Sequence, residues 1–284
     1  MNKWKESELV RSLVGFFLLF LLFVGFFIFI VPSTHQSSKI AEKIKSIKNE
    51  KVTYVAIGDS LTQGVGDSSN QGGFVPVLSQ SLESDFDWQV TSRNYGIAGN
   101  TSNQILKRMQ EKKDIQRDLK KAKVMTLTVG GNDVIHVIKD NITNLNVDTF
   151  TKPAQAYQKR LRQIIELARK DNKTLPIYIV GIYNPFYLNF PEMTEMQTIV
   201  DNWNQSTEEV CKKYDNVYFV PVNDLLYKGI DGKGGVTSSD DTSQSSNSSQ
   251  DNLNDALFED DHFHPNNTGY QIMSCLLYTS PSPR

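Results

Sequence analysis

Apolar residues fall into two kinds of run along this chain. The first is Leu13 to Val31, LVGFFLLFLLFVGFFIFIV, 19 residues without a charge. As a helix it reaches about 28 Å, close to the hydrocarbon thickness of a bilayer. A run that is apolar on every side does not suit an amphipathic core helix. A cleaved signal peptide has a shorter apolar region and a small-residue cleavage site, and the following PSTHQSSK offers none. The expectation is a short N-terminal tail with one uncleaved transmembrane helix (residues 1–31) and then a polar, lysine-rich stalk (32–50). Cations flank the span on both sides, Lys3, Lys5 and Arg11 before it and Lys39 to Lys51 after it, so counting them does not orient it. A single span before a large domain fits a signal anchor at the cell membrane, with that domain extracytoplasmic.

The second kind of run begins at Lys51. Short strand candidates, Val52–Ile57, Gln89–Asn94, Val124–Val129, Ile177–Val180 and Val217–Val220, alternate with amphipathic segments, Gly73–Ser84, Ser102–Lys112, Pro153–Arg169 and Glu192–Lys213. Apart from Gln89–Asn94, these candidates are nearly continuous in apolar residues, as strands covered on both faces are. Alternation with helical patterns predicts βαβ units around a parallel sheet of about five strands, an α/β fold. Residues 229–250, GIDGKGGVTSSDDTSQSSNSSQ, break the rhythm. This low-complexity insert carries too few apolar side chains to offset its ordering and is expected to be a loop.

Composition adds exclusions. A net charge of -2 carries no basic bulk of the kind that binds nucleic acid. The two cysteines, Cys211 and Cys275, match no metal-site spacing and no disulfide framework. Any chemistry must come from Ser, His, Asp, Asn or Gly.

Four places at predicted strand ends stand out, and in an open parallel sheet ligands bind at those ends. After the first strand comes Gly58-Asp59-Ser60, where Ser60 is either a nucleophile opening the next helix or an N-cap. After the second comes Asn94 to Thr101, NYGIAGNT, a glycine loop able to offer a backbone N–H to a ligand or simply to enter a helix. After the third comes Gly130-Gly131-Asn132-Asp133, where Asn132 is a carboxamide donor for an anion or a turn residue. Near the end lies Asp260-Asp261-His262-Phe263-His264-Pro265-Asn266. Asp261 and His264 are three apart, close enough on one compact turn for the carboxylate to hold Nδ1–H and leave Nε2 to take a serine proton. His262 is the competitor, since His-x-His beside Asp261 is a possible metal pair, but nothing supplies a third or fourth ligand at suitable spacing. His35 falls in the stalk, and His136 is read as structural.

In this order the four blocks resemble the SGNH-hydrolase superfamily, the GDSL esterases and lipases. The match is GDSL at Gly58–Leu61, GIAGNTS at Gly96–Ser102, GGND with its preceding Gly130, and DHFHPN at Asp261–Asn266, over about residues 52 to 275 of the chain. The resemblance implies a flavodoxin-like three-layer α/β/α sandwich over residues 51–274. It implies Ser60 as nucleophile, His264 as general base and Asp261 as orienting acid. Ser60 N–H, Gly99 N–H and the Asn132 side chain would form the oxyanion hole. Gly99 is preferred to Gly96 because it stands just before Asn100-Thr101. No metal or organic cofactor is needed. The implied substrate is a carboxylic ester, either a lipid acyl ester or an O-acetyl group on a glycan, with aromatic residues of Gly181–Pro191 as candidate acyl contacts. The insert before Asp261 departs from the family pattern. A surface-anchored binding module is the non-enzymatic alternative, but such a module would be expected to have lost a residue of the set. Finally, residues 275–284, CLLYTSPSPR, read like a translated sequencing-library adapter. They are expected to be non-native, to truncate the last helix and to leave apolar sheet surface exposed near His264.

Overall fold

The structure, a computed structural model, describes residues 50–141, 143, 145–185, 187, 192–228 and 256–280. The apolar run Leu13–Val31, the stalk before Glu50 and the insert 229–250 lie outside the described residues, as do Phe186, 188–191 and 281–284. The chain divides after Glu50, and the second unit is Lys51–Arg284. Among the described residues no helix is long and apolar enough to cross a membrane.

Five strands, β1 (Glu50–Gly58), β2 (Trp88–Gly96), β3 (Ala122–Thr128), β4 (Ile177–Val180) and β5 (Val217–Val220), form one sheet in the order β2-β1-β3-β4-β5. β3 pairs in parallel with β1 and β4, and β4 with β5. This is the strand order of doubly wound sheets of the flavodoxin type, in which the chain reverses direction between β1 and β3 and opens a crevice at their carboxyl ends. All five strand candidates are present, each within two residues of its expected start.

The helices are α1 (Ser60–Gln63), α2 (Phe74–Phe86), α3 (Ser102–Glu111), α4 (Lys113–Lys121), α5 (Gly131–Asp140), α6 (Thr151–Ala168), α7 (Thr194–Cys211), α8 (Asn223–Lys228) and α9 (Asn267–Thr279). Side chains of successive strand residues alternate between two cores. Val55, Ile57, Met125, Leu127, Ile177 and Ile179 pack with α3, α4, α6 and α7, through Ile105, Met109, Leu119, Leu161, Ile165 and Trp203. Tyr54, Ala56, Tyr178, Val180 and Val220 pack on the other face with Phe74, Leu78, Leu226, Tyr270, Met273 and Leu277 of α2, α8 and α9. A helical layer on each face of a parallel sheet makes the three-layer α/β/α architecture.

Several boundaries depart from the sequence reading for local reasons. α6 starts two residues before Pro153, since a missing N–H costs nothing in a first helical turn. The helix expected directly after β1 is a single turn, closed at Gly64 in a left-handed conformation. The loop that follows folds around Asp67, which is buried. Burial alone would raise its pKa. The Ser69 hydroxyl and the backbone N–H groups of Gly73, Ser69 and Gly72 donate to it and instead pull it down to about 2. α9 runs 13 residues through Thr279, with Leu277 buried. Apolar lining beside its last turn, Leu78, Trp88, Val124, Tyr178 and Leu277, belongs to a groove at the amino ends of the strands, not near His264.

Candidate active site

The carboxyl ends of β1, β2 and β3 carry three of the four sequence blocks. β1 ends on Gly58 because no side chain fits there: a Cβ would stand 2.1 Å from Thr128 Oγ1 and 2.5 Å from Thr62 Oγ1. Its role is therefore one of packing. Asp59 follows, buried, accepting from Thr128 Oγ1 (2.7 Å) and capping the Leu61 N–H (3.1 Å). Desolvation holds its carboxyl above the usual value, against these hydrogen bonds and the charge of His264. Ser60 comes next. It is buried, and its hydroxyl makes no hydrogen bond among the described residues.

Asn132 sits in the first turn of α5 rather than in a loop. One N–H of its carboxamide donates to the Asn100 carbonyl (3.1 Å), which orients the group and leaves the second N–H unspent. Asn132 and Ser60 line one cavity of about 50 Å³, walled by Ile135, Ile182, Tyr183 and Phe263. Two larger surface grooves, of about 430 and 450 Å³, contain neither residue.

Gly99 lies one residue before Asn100, with φ at +78°, a left-handed backbone that favours glycine. An added Cβ would meet nothing within 4 Å, so this glycine is explained by its conformation, unlike Gly96, whose Cβ would stand 2.1 Å from the Gln63 nitrogen. The loop continues through Thr101, whose side chain and that of Gln104 form a capping box at the start of α3.

The fourth block is a compact turn. Asp261 Oδ1 accepts the backbone N–H groups of Phe263 (2.9 Å) and His264 (3.0 Å), and Oδ2 meets His264 Nδ1 at 2.6 Å. Burial would raise the Asp261 carboxyl, but the bond from the His264 ring and the two backbone donors outweigh it and hold it below the usual range. The His264 side chain is 18% exposed. Its Cβ lies 3.3 Å from where a Gly66 Cβ would be, in the loop that follows α1, and its neighbour Phe263 walls the cavity. Tyr183 donates to the Phe263 carbonyl (2.5 Å) and fixes the turn. His262 is exposed at φ +50°, with no side-chain partner among the described residues. His136 is exposed on α5, so the structural role expected for it is not seen.

The sequence profile of the GDSL-like Lipase/Acylhydrolase family matches residues 56–272, which takes in all four blocks. The chain belongs to that family. It is a GDSL-type serine ester hydrolase. The uncharacterized protein YpmR of Bacillus subtilis (strain 168) is 32% identical over 248 residues, covering 87% of this chain and 88% of that one. The spore germination lipase LipC of Bacillus licheniformis is 25% identical over 228 residues, covering 78% of this chain and 92% of that one. In fold the chain is similar to the lipase Lip_vut3 from a goat rumen metagenome, with a TM-score of 0.63 at 22% identity over 80% of this chain and 95% of that one.

This GDSL-type site also contains residues the sequence reading did not single out. Asp133, next to Asn132, accepts Ser102 N–H (2.8 Å) and Ser102 Oγ–H (2.5 Å) and pairs with Arg160 (3.1 Å). It thereby ties the start of α5 to the start of α3. Arg108 of α3 binds carbonyls on both sides of the Gly99 loop. Asp133 lay within the quoted GGND block. Arg108 had no sequence signal, because its partners are backbone and amide oxygens that no pattern marks.

Proposed function

We propose that Ser60 is the nucleophile, His264 the general base and Asp261 its orienting acid. The observation that carries this is the 2.6 Å contact of Asp261 Oδ2 with His264 Nδ1 on a turn whose Phe263 walls the cavity holding Ser60 and Asn132. With Nδ1 committed to Asp261, Nε2 is left to accept the Ser60 proton as Oγ bonds to the ester carbonyl carbon. The carbonyl oxygen becomes an oxyanion among Ser60 N–H, Gly99 N–H and the unspent Asn132 N–H, each contributing about 3 kcal/mol. Protonated His264 returns its proton to the departing alcohol as the C–O bond breaks. Water then attacks the acyl-serine, giving its proton to His264, and the acid leaves as Ser60 regains the proton.

The cavity beside Ser60 favours a short acyl group. At about 50 Å³ it is far smaller than the two surface grooves elsewhere on the domain. The alcohol part is an O-acylated glycan or a lipid. Across a p-nitrophenyl series from acetate to octanoate, kcat/KM is expected to peak between acetate and butyrate. A steady rise through octanoate would overturn the short-acyl reading in favour of a long-chain lipase, and hydrolysis of none of the esters would favour a binding module.

The apolar run Leu13–Val31, long enough to span a bilayer, supports a membrane-anchored enzyme with an extracytoplasmic catalytic domain. Protease added to intact protoplasts should release that domain. Full protection until lysis would place it inside the cell.

A further inference from the structure

The three proposed oxyanion donors come from three segments, so the hole depends on what fixes those segments to one another. Asp133 links the segments of Asn132 and Gly99 through Ser102. Arg108, in the last turn of α3, links the segments of Gly99 and Ser60. Its Nε–H donates to Asn100 Oδ1 (2.8 Å), one terminal nitrogen to the Tyr95 carbonyl (3.0 Å) and the other to the Gly58 carbonyl (3.0 Å). Asn100 follows Gly99 directly, Gly58 stands two residues before Ser60, and the Asn100 carbonyl is the one that orients Asn132.

The chemistry of these partners is unusual for a guanidinium. Arg108 is half-buried, and burial pulls its pKa down from the ordinary value. Among the described residues no carboxylate pairs with it, and all three partners are neutral oxygens. A cation left uncancelled behind a site keeps its field directed at charge that develops there. The planar fork reaches three acceptors at once, which a lysine ammonium on its flexible stem does not reproduce.

We propose that Arg108 is a positioning residue of the oxyanion hole, setting the Ser60 turn against the Gly99 loop and biasing both toward a negative oxygen. This rests on the acyl-serine reading above, so the test carries a Ser60→Ala arm. Kinetics on p-nitrophenyl butyrate are measured for wild type, Arg108→Gln, Arg108→Lys and Ser60→Ala. Alongside them goes inhibition by a trifluoromethyl ketone, which adds to serine as a tetrahedral oxyanion. Arg108→Gln is expected to lower kcat roughly 10- to 100-fold, with KM within about twofold and the ketone Ki raised by the same factor as kcat falls. Arg108→Lys, keeping charge without the fork, should recover part of the loss. A folded Arg108→Gln with kcat within about twofold of wild type, or one whose KM rises while the ketone Ki holds, would overturn the proposal, because hole geometry would then not depend on this residue. Should Arg108→Gln lack a cooperative melt, Arg108→Lys decides on the same kcat and Ki readouts. Activity surviving in Ser60→Ala sinks the acyl-serine reading itself; its loss there beside a normal Arg108→Gln sinks the Arg108 proposal alone.

Discussion

Replacing Ser60 by alanine is expected to lower kcat/KM for p-nitrophenyl esters by on the order of 10⁴-fold or more while leaving the melting temperature nearly unchanged. The two halves of this expectation have separate causes. The Ser60 hydroxyl has no hydrogen-bond partner among the described residues, so its removal strands no buried polar group. The backbone N–H at position 60 remains, as do Gly99 and Asn132. As the proposed oxyanion donors, these groups would sustain only residual hydrolysis, because no serine oxygen would be left to form the acyl intermediate. A folded Ser60→Ala protein that kept a tenth of its activity would show that another group attacks the ester.

The second large effect separates the two histidines of the last block. His264→Ala is expected to cost on the order of 10³-fold or more in kcat/KM, since it would remove the proposed proton acceptor and the ring partner of Asp261. His262 sits at φ +50°, where alanine is strained and asparagine is tolerated. His262→Asn is therefore the informative variant, and steady-state rates within about threefold of wild type are expected from a residue with an exposed ring outside the cavity. Comparable losses in the two variants, or the larger loss in His262→Asn, would reverse the assignment.

The centre of the sheet was legible because β1, β3 and β4 are largely buried, whereas the edge strand β2 is mostly exposed. Ile177–Val180 is apolar throughout and Val52–Ile57 is broken only by Thr53, and two flanking helical layers leave that as the stable solution. The helices that escaped are short or sparsely apolar. α4, KDIQRDLKK, buries only Ile115, Asp118 and Leu119, two of them one turn apart, and its charged residues hide the pattern. α8 has six residues, too few to show a period.

The site was legible to the extent that its chemistry sits in local motifs at strand ends. Spacing brought Asp261 and His264 together because an aspartate three residues upstream can both cap the turn and reach the ring. What spacing did not carry was long-range. Gly58 is glycine on account of Thr128, seventy positions later, and Arg108 finds its acceptor at Gly58, fifty positions earlier. Such contacts leave no trace in a single chain read from end to end.

The proposed mechanism turns on one covalent bond, and a fluorophosphonate reads it directly, since it phosphonylates an activated serine and mimics the tetrahedral oxyanion. After incubation, intact-mass and peptide mass spectrometry should find one adduct per chain, on the peptide containing Ser60, and none in Ser60→Ala. An adduct on another residue, or full labelling that persists in Ser60→Ala, would contradict it.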